Sequence, residues 1–382
     1  MTHRNKRILI DANPAILEVI GRYTGIGRTC KELILGLDAI ADELPYEISL
    51  YSQNVKGCSA KHLNTRFKTI HSYLRNNHNG QQWGRRLRLR ELLGRYDLQH
   101  ITHNYDGGII DPSRCIVTVH DAFFMKFEVP NFDYTSFRTL YPPFIQACRH
   151  IITCSENSKK DIIETMDVEE SKISVIPWGI DHKNFFREEN KNAILPLMES
   201  RLGLNRSFYL SVSCDDGRKR TPELIRGYLS LDHPANDLVL VWNRTPKHIE
   251  ELTAGNPHIH ILKNIKQEEL RWLYNTATAS INITSYEGFG LPILEAMACG
   301  CPVITCRNSS IPEVGGEAAV YIDEPINRTL PKILYDIEHD NIRLYENRTM
   351  MGLKQASLFT WEKTARATAK VYEEQLASLN II

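Results

Sequence analysis

The sequence ASINITSYEGFGLPILEAMACGCPVIT, residues 279–305, predicts a strand, a loop, a helix and a second strand in succession. Its first five residues alternate apolar and polar side chains at the strand period, and its last four form a second segment of strand length. Pro292 suits the first turn of a helix, where its missing N–H costs nothing, and Gly300 suits the left-handed position after the last turn. We therefore expect a helix from about Pro292 to Cys299, with Glu295 in its first turn.

The loop before this helix predicts an anion site. Gly288 and Gly290 allow the backbone to approach a ligand closely, and a helix N-terminus directs unpaired N–H groups and its positive dipole end at an anion. Two carboxylates, Glu287 and Glu295, accompany the loop, and carboxylates accept hydrogen bonds from sugar hydroxyls. The combination predicts a ligand with diphosphate and sugar parts. Taken alone, each glutamate is better explained without a ligand, Glu287 as a solvated loop charge and Glu295 as a complement to the helix dipole.

Residues 287–303, EGFGLPILEAMACGCPV, resemble the E-x7-E signature of retaining glycosyltransferase family 4, whose members have the GT-B fold. Residues 311–319 continue the resemblance. It implies an α/β protein with two Rossmann-like domains that face a central cleft. We expect an acceptor-side domain over residues 1–185, a nucleotide-sugar-binding domain over 186–360, and a C-terminal helix over 361–382 that returns to the first domain.

Length and composition agree with a soluble protein of two domains. The chain has 382 residues, more than one ordinary α/β core needs. Its 46 Lys and Arg balance 46 Asp and Glu, so its charge gives no indication of nucleic-acid binding. No run approaches the ~18 apolar residues of a membrane span, and no secretory signal pattern is visible. The nine scattered cysteines contain no C-x-x-C pair, which favours reduced thiols in the cytoplasm.

A second glycine motif lies near the start of the chain, between a predicted strand at residues 7–11 and helical spacing at 28–41. Dinucleotide binding needs a third glycine at position 30 and an acidic residue after the second strand. Both are missing, because Cys30 stands at the first place and Ser52 and Gln53 at the second, so NAD is not expected. The motif Gly25-Ile-Gly27 alone indicates a tight turn. The family resemblance implies instead a glycine loop across the cleft from the donor diphosphate.

Residues 114–121 predict a buried strand whose carboxyl end presents His120 and Asp121. Ligands bind beyond the carboxyl ends of the strands in open parallel sheets, so this pair is well placed. A lone histidine is usually structural. The resemblance implies that His120 is the family's histidine at the donor cleft.

Three consecutive cations, Arg218, Lys219 and Arg220, follow a predicted strand at residues 208–213 and precede a helix with Pro222 in its first turn. Adjacent cations repel one another unless an anion neutralises them or water hydrates them, and both interpretations stay open. The family carries an Arg–Lys pair here that holds the diphosphate. This chain departs from the family at Arg220, where a small residue or Asn is common, and no Gly-Arg precedes the pair.

The resemblance also implies roles for individual residues. Catalytic roles fall to His120, Arg218, Lys219 and Glu287. Donor-binding roles fall to Gly25, Gly27, Ile265, Gly288, Phe289, Gly290, Leu291 and Glu295. Among these, Ile265 lies near the base and Glu295 holds the ribose. Because the sequence contains no D-x-D triplet, we expect no metal and no cofactor beyond the donor, with protein cations neutralising the leaving diphosphate.

Residues 56–95 form a basic segment with ten Lys or Arg and one acidic residue. Within it, Leu89, Leu92, Leu93 and Tyr96 recur at the spacing of an apolar helical stripe. Two interpretations stay open. The segment is an ordinary helix with a solvated basic face, or it contacts an anionic membrane surface.

Together these features predict a hexosyltransferase, and the family resemblance implies retention at the anomeric carbon. The resemblance to bacterial O-antigen and exopolysaccharide mannosyltransferases favours GDP-mannose as donor, with UDP-sugars second. The expected acceptor is a glycan hydroxyl on a lipid-linked oligosaccharide, and the expected place of action is the cytoplasm, at the inner face of the membrane. Two other functions stay open: a nucleotide-sugar epimerase on the same fold, and a non-catalytic scaffold that binds nucleotide sugars.

Overall fold

The computed structural model describes residues 5–21, 24–53, 58–72, 96–104, 111–128, 135–212, 217–339 and 342–379. The chain divides into two compact units. The first consists of Met1–Gly179 with Thr360–Ile382, and the second of Ile180–Phe359. The chain thus enters the second unit after Gly179 and returns to the first after Phe359; the sequence placed these boundaries after residues 185 and 360.

The first unit contains a seven-stranded parallel sheet. Its strands are β1 (Arg7–Asp11), β2 (Glu47–Gln53), β3 (Lys68–Ser72), β4 (Leu98–Ile101), β5 (Cys115–Thr118), β6 (His150–Thr153) and β7 (Ile173–Val175). They lie in the order β3-β2-β1-β4-β5-β6-β7, and all neighbours are parallel. The strand order reverses between β1 and β4, which is the kind of switch point where such sheets bind ligands. The helices that accompany these strands are α1 (Asn13–Val19), α2 (Gly25–Ala39), α3 (Phe123–Lys126), α4 (Thr135–Ala147) and α5 (Glu156–Met166).

The second unit repeats this plan with six parallel strands. They are β8 (Phe208–Val212), β9 (Asp237–Val241), β10 (Ile259–Leu262), β11 (Ala279–Asn282), β12 (Val303–Cys306) and β13 (Val320–Ile322). The order is β10-β9-β8-β11-β12-β13, so the switch point lies between β8 and β11. Its helices are α6 (Leu195–Leu202), α7 (Thr221–Leu229), α8 (Lys247–Thr253), α9 (Gln267–Thr276), α10 (Leu291–Ala298), α11 (Ile311–Gly315), α12 (Ile326–His339) and α13 (Ile342–Ser357). Two parallel sheets of this kind confirm the predicted pair of Rossmann-like domains.

The last helix, α14 (Trp361–Ser378), belongs to the first unit. It crosses α2 closely, because a Cβ built on Gly36 would lie 3.0 Å from the Trp361 carbonyl oxygen. Further along, the Tyr372 hydroxyl lies 2.5 Å from Nδ1 of the buried His100. The predicted return of the C-terminal helix to the first domain is confirmed.

The segment that predicts the fold forms β11, α10 and β12, as expected. Gly300 has a φ of +71° after the last helical turn, the left-handed position that the sequence assigned to it. The predicted position of Glu295 in the first turn is wrong. Since Gly290 is the N-cap residue, with a φ of +111°, the helix begins at Leu291 and Glu295 is its fifth residue.

Most of the predicted basic segment, residues 56–57 and 73–95, lies outside the described residues. This part includes Leu89, Leu92 and Leu93 of the predicted apolar stripe. Among the described helices, none combines the length and the hydropathy that a membrane-spanning segment needs.

Candidate active site

The loops that follow β8 and β11 leave the second sheet on either side of its switch point. The first loop carries Arg218 and Lys219, and the second carries Glu287. The two loops are joined through Ser285, whose backbone N–H donates to the Arg218 carbonyl oxygen at 2.7 Å. Its hydroxyl donates to the same oxygen at 3.3 Å. The sheet order therefore brings together two motifs that are far apart in the sequence.

Lys219 and Glu287 form an ion pair at this junction, with Nζ donating to Oε1. The two side chains are only 16% and 15% exposed. Partial burial strengthens the attraction between the charges but also removes each from water. Each charge is therefore destabilised if its partner is removed. The pair holds a cation and a carboxylate together at the switch point.

The loop after β12 fixes the backbone around Glu287. The Ser309 hydroxyl oxygen accepts from the Glu287 N–H at 2.9 Å. The Ser310 hydroxyl donates to the carbonyl oxygens of Glu287, at 2.8 Å, and Phe289, at 3.0 Å. Ser310 is fully buried, so these bonds are not exchanged with water.

The sequence analysis did not assign these two serines, or Asn308, whose side-chain N–H donates to the Thr284 carbonyl oxygen at 3.0 Å. Their signal was weak. Small polar residues at the carboxyl end of a strand indicate a ligand-side loop, but not which backbone groups they bind.

The start of α10 presents a row of open donors. Within the described residues, no group accepts from the N–H of Phe289, Gly290 or Leu291. The left-handed conformation of Gly290 turns the chain into the helix here, with no side chain capping the end. Consecutive free N–H groups at a helix N-terminus are the arrangement that receives phosphate oxygens. The predicted anion site is thus available geometrically.

The remaining glycine-loop residues lie beside these donors. Gly288 is buried, and the Phe289 ring packs edge-on against Phe359 with the centroids 5.9 Å apart. Phe289 therefore contributes its backbone N–H to the loop, while its ring packs in the interior. Ile265 lies after β10, at the same carboxyl edge of the sheet but two strands away from β8.

Glu295 lies beneath the loop rather than on the surface. Its side chain is 3% exposed, and Oε2 accepts a hydrogen bond from the Tyr274 hydroxyl at 3.3 Å. Burial, reinforced by the neighbouring Glu295 charge, raises the pKa of Tyr274 well above its usual value, so this hydroxyl remains a donor. The structure therefore gives Glu295 an interior partner, whereas the sequence assigned it to the ribose.

The third consecutive cation, Arg220, is engaged by carboxylates of the protein itself. Arg220 has a left-handed backbone, with a φ of +49°, and its guanidinium binds the carboxylate of Glu324. Glu223 lies 4.0 Å away on α7. These contacts give Arg220 partners away from the loop of Glu287, whereas Lys219 contacts Glu287 and the Arg218 backbone contacts Ser285.

His120 lies in the first unit, two residues beyond the end of β5. The predicted strand to Asp121 is therefore too long. After Thr118 the ladder ends, and the His120 N–H donates to the Asn104 side chain at 3.1 Å instead. Nε2 lies 3.0 Å from the Thr102 carbonyl oxygen, to which it can only donate. Burial lowers the pKa of His120 to about 4, so the ring is neutral near pH 7 and its Nδ1 is an acceptor.

Gly25 and Gly27 form neither a tight turn nor a loop, and this prediction is wrong. They lie in the first turn of α2, which the sequence began only at Arg28. The helix starts early because Thr24 caps it, accepting from the Gly27 N–H at 2.9 Å. A Cβ on Gly27 would lie 2.9 Å from the Pro14 carbonyl oxygen, whereas one on Gly25 would meet nothing within 4 Å.

The predicted site residues thus fall into two sets. Gly25, Gly27 and His120 belong to the first unit. The second unit brings together Arg218, Lys219, Glu287 and residues 288–291 at its switch point, with Glu295 beneath them and Ile265 along the same edge.

Two family models match the chain. Residues 23–184 match the model described as Glycosyltransferase Family 4, and residues 225–329 match the one described as Glycosyl transferases group 1. The second match contains the loop and helix of the candidate site. The predicted relationship to family 4 glycosyltransferases is confirmed.

Curated relatives share part of their sequence with the chain. O-antigen chain mannosyltransferase B of Escherichia coli is 33% identical over 157 residues, which are 41% of this chain and 38% of that protein. The MMP alpha-(1->4)-mannosyltransferase of Mycolicibacterium hassiacum is 28% identical over 237 residues, 59% of this chain and 54% of that protein. The chain thus matches about two fifths to just over half the length of these relatives.

A solved structure matches over nearly its whole length. Anabaena HepE, in complex with UDP and glucose, superposes with a TM-score of 0.72 at 16% identity, covering 97% of this chain and 100% of that one. At 16% identity this similarity shows the fold alone. The predicted fold class is confirmed.

Proposed function

Because this chain carries a Glycosyltransferase Family 4 domain and a group 1 glycosyl transferase domain, we propose that it transfers a hexose from a nucleotide-diphosphate sugar to a glycan hydroxyl, with retention at the anomeric carbon. One observation carries this proposal. At the switch point of the second sheet, Lys219 pairs with Glu287, and Glu287 lies in the loop that leads to three open N–H groups at residues 289–291.

The diphosphate is the part of the donor that this geometry suits best. The open N–H groups and the positive end of α10 bind its oxygens, while Arg218 and Lys219 oppose the charge that grows as it leaves. The glycosidic bond to the diphosphate breaks, the acceptor oxygen bonds to the anomeric carbon, and the acceptor proton passes to the departing diphosphate. In this proposal the protein cations do the work of a divalent metal, and none is required.

The sugar is oriented by side chains that accept hydrogen bonds. Once the diphosphate attracts Lys219, the carboxylate of Glu287 becomes available to hexose hydroxyls. We assign His120 a similar role, in keeping with the family resemblance, because its neutral ring presents Nδ1 as an acceptor. Orientation of this kind contributes to the rate by fixing the reacting atoms before the chemical step.

The proposed donor is GDP-mannose. Both curated relatives are named mannosyltransferases, which favours mannose as the transferred sugar. A UDP-sugar is the second candidate, because the structural neighbour HepE binds UDP and glucose. The proposed acceptor is a lipid-linked oligosaccharide of a cell-surface polysaccharide, since the Escherichia coli relative is named for the O-antigen chain.

A lipid-linked acceptor places the enzyme at the inner face of the membrane, with the basic segment of residues 56–95 as the contact. Each Lys or Arg near an anionic surface contributes about 1 kcal/mol. We expect sedimentation with anionic but not neutral vesicles. Binding should be lost when glutamine replaces four arginines, Arg85, Arg86, Arg88 and Arg90. Equal binding to neutral vesicles, or none to either, would contradict this contact.

The function is tested by supplying purified protein with GDP-mannose, UDP-glucose and other nucleotide sugars, with and without a glycan acceptor. A transferase releases nucleoside diphosphate and forms a glycan product only when acceptor is present. An epimerase converts the donor without any acceptor, and a scaffold binds the donor without turnover. Either of the last two results would overturn the proposal.

A further inference from the structure

Residues 177–179, which follow β7, pack against the first turn of α14 through three separate contacts. The Thr364 hydroxyl donates to the Pro177 carbonyl oxygen at 2.8 Å. The rings of Trp178 and Trp361 are stacked, with an interplanar angle of 19° and centroids 6.3 Å apart. A Cβ on Gly179 would lie 2.2 Å from the Trp361 nitrogen, so only glycine permits this approach.

Trp178 also contacts His120. The two ring centroids are 5.5 Å apart at an angle of 52°, and Trp178 is only 3% exposed. The indole of Trp178 therefore contacts both the imidazole of His120 and the indole of Trp361. The hydrogen bond from Nε2 to Thr102 fixes one point of the His120 ring, and the indole supplies a second contact that restricts its rotation.

We propose that Trp361 is a positioning residue for His120 and acts through Trp178. This inference rests on the sugar-binding role proposed above for His120. The first turn of the C-terminal helix holds Trp178 in place, Trp178 holds the imidazole, and the imidazole thereby keeps Nδ1 pointed in one direction. Nothing in the sequence spacing of the three residues suggests this link, because it depends on the return of α14 to the first unit.

The Trp178 indole also covers part of the imidazole. Burial is the main cause of the low pKa of His120, and the nearby His103 adds to it. Other titratable groups around the ring are His100, whose own pKa is lowered chiefly by burial and secondarily by His120, and Cys154, whose thiol donates to the His120 carbonyl oxygen at 3.1 Å. If Trp361 is removed, Trp178 can tilt and water can enter, so the pKa of His120 should rise towards its ordinary value.

The test compares Trp361→Ala and Trp361→Phe with Tyr372→Phe. The last variant is a matched control, because it loses a buried contact of α14 with His100 but leaves the indole pair intact. The ring of His120 is titrated by NMR with isotope-labelled histidine and assigned from His120→Gln. We expect the pKa of His120 to rise by about one unit or more in Trp361→Ala. It should stay near the wild-type value in Trp361→Phe and Tyr372→Phe.

Activity gives a second measurement. With acceptor and donor supplied, the acid limb of the pH–rate profile should move to higher pH in Trp361→Ala, and kcat should fall more than KM rises. Trp361→Leu, which keeps an apolar side chain, replaces the alanine variant if that variant does not fold.

An unchanged His120 titration in folded Trp361→Ala, or in Trp361→Leu where that variant replaces it, would overturn the inference. An equal shift in Tyr372→Phe would do the same, because it would show a general loosening of α14. The NMR titration needs no substrate, so a wild-type protein that transfers no sugar would defeat the proposed function while this test still decides the link between Trp361 and His120.

Discussion

Nζ of Lys219 donates a hydrogen bond to Oε1 of Glu287, with the two side chains 16% and 15% exposed. The contact joins the loop after β8 to the loop after β11. It thereby links the cation proposed to hold the diphosphate with the carboxylate proposed to hold the sugar. The two charges are partly withdrawn from water, which makes each depend on the other until a ligand separates them.

This dependence is measurable as a coupling free energy. Lys219→Ala leaves a mostly buried carboxylate without its partner, and Glu287→Ala leaves a mostly buried ammonium. We expect each single variant to lower the free energy of unfolding in urea, and the double variant to lose less than the sum, with a coupling of about 1–3 kcal/mol. Strictly additive losses would show that the contact does not hold the two loops together.

Arg218 and Arg220 offer a matched pair of neighbouring cations with different assignments. Arg218→Ala should weaken the binding of GDP or UDP in calorimetry by about 1.5–3 kcal/mol, because it removes a charged donor to phosphate. Arg220→Ala should leave nucleotide affinity unchanged and lower thermal stability instead, since its guanidinium binds Glu324. The reverse pattern would transfer the phosphate role to Arg220.

Glu295 is predicted to bind the ribose, yet it accepts a hydrogen bond from Tyr274 in the interior. Glu295→Ala should weaken nucleotide binding by about 1.5–3 kcal/mol if the ribose role holds. Tyr274→Phe serves as the control, because it removes the interior partner but keeps the carboxylate. If both variants lose stability and neither loses nucleotide affinity, the carboxylate is structural only.

The buried histidines predict how stability depends on pH. Burial lowers the pKa of His100 to about 3 and that of His120 to about 4, below the ordinary value of about 6.5. Below pH 6.5 the unfolded chain therefore binds protons that the folded chain does not, and stability falls as the pH drops. Each histidine contributes a slope that approaches about 1.4 kcal/mol per pH unit once the pH is well below 6.5 and still above the pKa of the folded state.

Urea unfolding between pH 6.5 and 5 checks this slope. In His100→Gln the slope should be smaller by a difference that approaches one proton near pH 5, that is, about 1.4 kcal/mol per pH unit. A wild-type stability that stays flat over this range would show that the two rings are not held neutral by burial.

The local elements of the site follow from local chemistry. Pro292 and Gly300 mark the ends of α10 because their backbone restrictions act on their own turn, and Arg218-Lys219 stands out because consecutive cations repel. The meeting of Lys219 with Glu287 does not follow from spacing. It requires β8 and β11 to be neighbours, which only the reversal of strand order produces.

Most of the missed features also depend on contacts between segments that are far apart in the sequence. Ser309 and Ser310 act on backbone groups of another loop, Arg220 reaches Glu324 across the sheet edge, and Trp178 meets Trp361 only because the chain returns to the first unit. The early start of α2 at Gly25 has a local cause instead. The N-cap at Thr24 stabilises the first turn more than the low helix propensity of two glycines destabilises it.

The central claim is that protein cations and the open N–H groups of residues 289–291 stabilise a leaving nucleoside diphosphate while a hexose moves to an acceptor. The most direct measurement is transfer from GDP-mannose, or from whichever nucleotide sugar proves active, to a glycan acceptor in the presence of EDTA, with the anomeric configuration of the product read by NMR. The account predicts acceptor-dependent release of nucleoside diphosphate that survives EDTA, loss of that activity in Lys219→Ala, and retained configuration. Activity that disappears with EDTA and returns with Mg²⁺ or Mn²⁺, or a product of inverted configuration, would contradict it.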